Sequence, residues 1–242
     1  MTARKVVVFD WDGTLYDSEG LLEVAADQVL KALGIPLSEP IAALLTRPFE
    51  GGNLIEAVAS NLSGLQAESF RARAPIAFAL LERAAGLKAG MPQILDSLHR
   101  EGVVMCVATG RSRQRFEADI KKLKLQGVFA VTVCAGEGKA KPDADCLLHI
   151  MRVLNAKPED CMFVGDSQAD EQCANAASVA FIGARIGYRT GTALSEFSST
   201  TAVATAAVSV REMLSLWIAR AHGERDVAQL CLHDSLKDKA NV

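Results

Sequence analysis

Residues 6–14 read Val-Val-Val-Phe-Asp-Trp-Asp-Gly-Thr, and no other stretch of the chain restricts the fold as sharply. Four apolar residues in succession suit a strand covered on both faces, the situation of a central strand in a parallel sheet. Such a strand has no packing reason to end in two carboxylates around a tryptophan. Period-two alternation puts Asp10 and Asp12 on one face, and Gly13 turns the chain directly beyond them. Open α/β sheets keep their chemistry at the carboxyl ends of their strands. Asp10 and Asp12 are therefore candidate reactive groups.

From Leu87 onward, apolar runs alternate with helical patterns. Strands are predicted at 103–108, 129–134, 161–165 and 179–182, with helices at 92–100, 113–124, 143–155 and 168–177. Alternation at this spacing predicts an α/β fold, a Rossmann-like doubly wound parallel sheet. Residues 19–86 interrupt it with four helical stretches, near 19–33, 38–46, 53–61 and 66–86, where apolar residues such as Leu22, Ala25, Val29 and Leu33 recur at helical spacing. The expected division is a core from 1–17 and 87–221, a small all-helical domain from 18–86 inserted after the first strand, and a polar tail from 222–242 with no assigned function.

Composition removes several classes. A net charge of −3 and an isoelectric point near 5.9 argue against nucleic acid as a partner. Six cysteines without CxxC spacing, several inside apolar runs, favour a reducing compartment over a disulfide framework. The amino-terminal apolar run leads straight into Asp10 and reads as a strand, not a signal sequence. Arg211 and Glu212 break the most apolar later segment, so no membrane span is expected. The expectation is a cytoplasmic protein.

Three more stretches carry chemistry. The second predicted strand ends in Thr109-Gly110-Arg111. A hydroxyl beside backbone N–H groups where a helix begins suits a phosphoryl oxygen, although Thr-Gly is also a common turn. Lys139 and Lys141 both lie ahead of the next helix, and either ammonium supplies positive charge. The fourth strand ends in Gly165-Asp166-Ser167, followed by Asp170, so two aspartates four apart share a face at a helix start.

In that order, Asp10-x-Asp12-Gly13-Thr14 after an apolar strand, Thr109, Lys141-Pro142 and the Gly165-Asp166-Ser167…Asp170 run resemble the motifs of the haloacid dehalogenase-like hydrolases over residues 5 to about 215. The inserted helical stretch is similar to the cap of the helical-cap subgroup. One departure is Ala144, where a second proline is usual. The resemblance favours Lys141 over Lys139. It implies a Mg²⁺-dependent phosphatase acting on a small phosphorylated metabolite through an aspartyl-phosphate, similar to phosphoglycolate phosphatases. Asp10 is then the nucleophile, and Asp12 the acid and base. Thr109, Gly110 and Lys141 hold the phosphoryl group. Asp10, Asp166 and the main-chain carbonyl of Asp12 ligate Mg²⁺, with Asp170 in support. Arg47, in the loop between two predicted cap helices, is a candidate for a second anionic group of the substrate. A sugar phosphomutase of the β-phosphoglucomutase type keeps the same core residues and is the alternative. A non-catalytic phospho-acceptor is a third reading, with no need of Asp12. The oligomeric state is left open.

Overall fold

The structure, a computed structural model, describes residues 4–46, 53–187, 197–198 and 201–220. The chain opens with β1 (Val6–Phe9) and enters the helices α1 (Leu21–Ala32), α2 (Glu39–Thr46), α3 (Leu54–Ala59) and α4 (Gly64–Ala84). It returns through α5 (Met91–Arg100), β2 (Val104–Ser112), α6 (Arg113–Lys122), β3 (Val131–Ala135) and α7 (Asp145–Leu154). The run then closes with β4 (Cys161–Gly165), α8 (Gln168–Ala176), β5 (Ala180–Ala184), β6 (Ala202–Ala204) and α9 (Ala207–Arg220).

Among the described residues, all pairings within the sheet are parallel, in the spatial order β3-β2-β1-β4-β5-β6. The chain builds outward from β1 to β3, then crosses back to place β4 on the other side of β1. That reversal leaves a crevice at the carboxyl ends of β1 and β4, the place where such sheets bind ligands. Val8 lies beside Cys106 of β2 and Phe163 of β4, so β1 is enclosed laterally as well as above and below. Val6 and Val8 share one buried cluster with Leu147 and Ile150 of α7 and Cys173 and Ala174 of α8. Val7 and Phe9 point the other way and are equally buried, while α5 packs on β2 and α9 on β5. This two-sided cover is why β1 is unbroken apolar sequence.

The chain divides between Leu15 and Tyr16 and between Leu87 and Lys88, where the sequence suggests boundaries after Asp17 and Gly86. The inserted helices have their own core, including Leu30, Ile41, Leu54, Val58 and Phe70. At the division the outgoing and returning chains run side by side. Lys88 N donates to Leu15 O at 2.8 Å, Asp17 N donates to Gly86 O at 2.9 Å, and Tyr16 forms an antiparallel bridge with Leu87.

Three features differ from the sequence expectation, one of them α9, a helix where the sequence reading gives no element. β2 continues through Thr109 to Ser112, with an irregular register against β3 between Ala108 and Ser112. β6 is an additional strand, and its three residues Ala-Val-Ala are too short for alternation to register. The polar tail lies outside the described residues. Cys106, Cys134, Cys146, Cys161 and Cys173 are buried free thiols, and burial pushes Cys106 up to about 12, so it behaves as a small hydrophobe. Among the described residues no helix is long and apolar enough to cross a membrane.

Candidate active site

The crevice between β1 and β4 receives one carboxylate from each strand end. Asp10 directly follows β1, and its N–H extends the pairing with β4 by donating to Val164 O at 2.8 Å. Asp166 directly follows β4, and its Oδ1 accepts from the Thr14 hydroxyl at 3.2 Å. Gly13 permits that approach for two reasons. Its φ is +77°, and a Cβ there would run into the Asp166 carboxylate. Gly165 answers a similar constraint, since a Cβ on it would collide with the Asp170 side chain.

Asp170 serves a helix and the site together. With Ser167 it forms a reciprocal cap on α8: Ser167 Oγ accepts from Asp170 N at 3.2 Å, while Asp170 Oδ2 accepts from Ser167 N at 3.0 Å and Ser167 Oγ at 2.5 Å. The other oxygen, Oδ1, accepts from Lys141 Nζ at 2.5 Å. Lys141 also donates to Asp10 Oδ1 at 2.6 Å and to Ala108 O at 3.2 Å. Its side chain is 15% exposed, whereas that of Lys139 is 74% exposed and pairs with Asp143 at 3.3 Å. Only Lys141 of the two reaches the aspartates in this structure.

Burial raises the Asp10 pKa well above the usual carboxylate range; Lys141 opposes the rise, and the negative charges of Asp170 and Asp166 add to it. Burial alone would lower Lys141, but Asp10 and Asp170 outweigh it and raise its pKa, keeping it an ammonium. Ligand oxygens of Asp10, Asp166 and Asp170 all lie within 4.8 Å of one another. Three hard oxygen donors gathered this closely fit a small divalent cation such as Mg²⁺, which binds through few carboxylates and keeps several waters.

Thr109 is buried in β2, and its Oγ1 accepts from Arg111 N at 3.0 Å, while Gly110 is exposed. Phe9, the last residue of β1, pairs with Val107, so Thr109 lies two residues further along β2, just beyond the level of the end of β1. The period-two expectation for Asp10 and Asp12 ends at Phe9, because Leu15 N closes a turn onto Trp11 O at 3.0 Å. Asp12 instead pairs with Arg111, through Nε at 3.0 Å to Oδ2 and a short contact from Nη2 to Oδ1. Its carboxylate is absent from the three-aspartate cluster. Arg47 lies outside the described residues.

Sequence reasoning assigned no role to Arg111, Asp119 or Trp11. Arg111 Nη1 donates to Asp119 Oδ2 at 2.6 Å, and the same oxygen accepts from Trp11 Nε1 at 3.3 Å. The available signal was an arginine inside the second motif and an acid eight residues on, upon α6. No period links those positions to Asp12.

The chain is similar to known proteins in sequence and in fold. A family profile described as haloacid dehalogenase-like hydrolase matches residues 7–184. The phosphoglycolate phosphatase of Pseudomonas syringae pv. syringae (strain B728a) is 31% identical over 204 residues, 79% of this chain and 73% of that protein. Its counterpart from Pseudomonas savastanoi pv. phaseolicola (strain 1448A / Race 6) is 32% identical over 204 residues with the same coverage. The crystal structure of a subfamily IA hydrolase from Geobacter sulfurreducens superposes with a TM-score of 0.65 at 23% identity, covering 89% of this chain and 97% of that one. A Thermotoga maritima protein provisionally assigned as a β-phosphoglucomutase superposes with a TM-score of 0.70 at 18% identity, covering 88% and 99%.

Proposed function

Because the chain belongs to the haloacid dehalogenase-like hydrolases and is a phosphatase of that family, we propose that it hydrolyses a small phosphorylated metabolite by way of a phosphoryl-Asp10 intermediate, with Mg²⁺ as cofactor. The observation that carries this reading is the meeting of Asp10, Asp166, Asp170 and Lys141 at the crevice between β1 and β4. A phosphate monoester repels an attacking anion, so the site must supply positive charge where the two approach.

Asp10 attacks phosphorus and the bond to the leaving oxygen breaks, forming the acyl-phosphate open to carboxylate nucleophiles. Lys141 donates to Asp10, opposing the rise that burial gives its pKa, and faces the charge that spreads over the transferring group. Asp12 gives a proton to the leaving oxygen and then takes one from the water that cleaves the intermediate. Thr109 and Gly110, at the neighbouring strand, hold phosphoryl oxygens. Asp10, Asp166 and the main-chain carbonyl of Asp12 would hold Mg²⁺, with Asp170 supporting them. When bound, the ion neutralises negative charge on the phosphoryl group.

Substrate choice is assigned to the inserted helical unit, with Arg47 offering a planar fork to a second anionic group. The test is release of inorganic phosphate from a panel of phosphorylated metabolites in Mg²⁺, with phosphoglycolate included because two relatives are named for it. Hydrolysis of at least one metabolite, lost in Asp10→Asn, is expected. Accumulation of a phosphorylated isomer without phosphate release would replace hydrolysis by the mutase reading.

A further inference from the structure

Asp12 is the half-exposed member of a chain of contacts whose other members are buried. The Asp12 side chain is 40% exposed, while those of Arg111 and Asp119 are 6% and 10% exposed. Arg111 closes a fork on both Asp12 oxygens through Nε and Nη2, and reaches Asp119 through Nη1. Asp119 is held in turn by the indole N–H of Trp11. Trp11 is fully buried, edge-on to Phe116 at 4.9 Å and to Phe129 at 6.2 Å. Trp11 and Asp12 are adjacent in sequence, so the contacts form a closed ring: backbone, indole, carboxylate, guanidinium, carboxylate.

A lone aspartate at this position would rotate about two side-chain bonds. A planar guanidinium bonded to both oxygens removes that freedom, because the fork fixes the plane of the carboxylate as well as its place. An ionised carboxylate offers about four lone-pair positions, and the fork takes two of them. The fork leaves two further positions, on which the carboxyl can carry the proton that its acid role requires. A misplacement of about 1 Å at such a group costs on the order of 100-fold in rate.

We propose that Arg111, anchored by Asp119 and Trp11, is the positioning residue that aims Asp12 at the leaving oxygen. The inference rests on the acid–base role given to Asp12 above. Arg111 acts through the carboxylate that it orients.

The leaving-group dependence of kcat/KM tests this, since that constant reports steps up to departure of the leaving oxygen. p-Nitrophenyl phosphate releases a stable phenolate with little need of a proton, whereas an alkyl phosphate metabolite must have its oxygen protonated. Arg111→Ala is expected to lower kcat/KM for the alkyl ester by about 10- to 100-fold and for p-nitrophenyl phosphate by about threefold at most. In an Asp12→Ala background the Arg111→Ala change is expected to cost nothing further on either ester. Arg111→Lys keeps a cation against Asp119 but loses the fork. It provides a folded variant if alanine is not tolerated, and it should show the same split at smaller amplitude. Equal losses on both esters, no loss on the alkyl ester, or a full additional loss in the Asp12→Ala background would overturn the proposal. Retention of alkyl-ester turnover by Asp12→Ala alone would instead overturn the acid–base role of Asp12, a separable result.

Discussion

Asp10→Asn replaces the charged carboxylate of the proposed nucleophile by a neutral amide of the same shape, and turnover of the best metabolite should fall by about 10³-fold or more. Circular dichroism should remain unchanged, which separates lost chemistry from lost fold. The two lysines make a sharper pair. Lys141→Ala takes the ammonium from Asp10 and Asp170 together and should abolish most activity. Lys139→Ala breaks one exposed ion pair and should leave the rate within about twofold, because such pairs contribute little. Steady-state rates of the two variants measured side by side decide this, and a reversed order would move the phosphate-site cation by two residues. The proximity of Asp10 and Asp166 was legible because each directly follows a strand, where sequence order and spatial position coincide. Arg111 was not legible in this way. Its partner Asp12 is 99 positions away, and the pairing exists only because β1 and β2 are neighbours in the sheet.

At the level of elements, α8 carries the most consequence for its length. The same carboxylate that closes its capping box also meets Lys141, so helix stability and site geometry share one side chain. Ser167→Ala should cost about 1 kcal/mol of unfolding free energy, the usual value of an N-cap. It should also lower kcat, because Asp170 Oδ2 loses the Ser167 hydroxyl and is left with the backbone N–H of residue 167 alone. Denaturant melts and initial rates on one preparation check both halves. Gly165→Ala should be worse, by about 1–3 kcal/mol, since the added methyl meets Asp170 rather than open space. The helices and the long strands could be read from periodicity. β6 could not, since three residues at a sheet edge carry no period, and the continuation of β2 past Ala108 depends on β3 beside it.

For the whole molecule, the three-aspartate cluster predicts a coupling between cation and fold. Mg²⁺ that binds the native cluster and not the unfolded chain raises stability by mass action. Thermal unfolding should therefore shift upward with added Mg²⁺, by about 2.7 kcal/mol of stabilisation at 100 times the dissociation constant. Asp166→Asn should blunt that shift, and EDTA should remove activity that Mg²⁺ restores. A melting point indifferent to Mg²⁺ in the parent protein would contradict the metal assignment without reference to any substrate.

The paired chains at the division, Leu15 with Lys88 and Tyr16 with Leu87, bear on how this molecule came to have two cores. Loop-closure entropy depends on the distance between loop ends and only logarithmically on length, about 0.6 kcal/mol for each doubling. Once Tyr16 and Leu87 are bridged, the sheet sees the inserted helices as a connection a few residues long. The insertion is then nearly free of entropic penalty, so its length and sequence are open to replacement while β1 and β2 keep their register. Given the substrate role proposed for that segment, descent with its exchange would alter which esters are accepted and leave Asp10, Lys141 and Asp166 where they are.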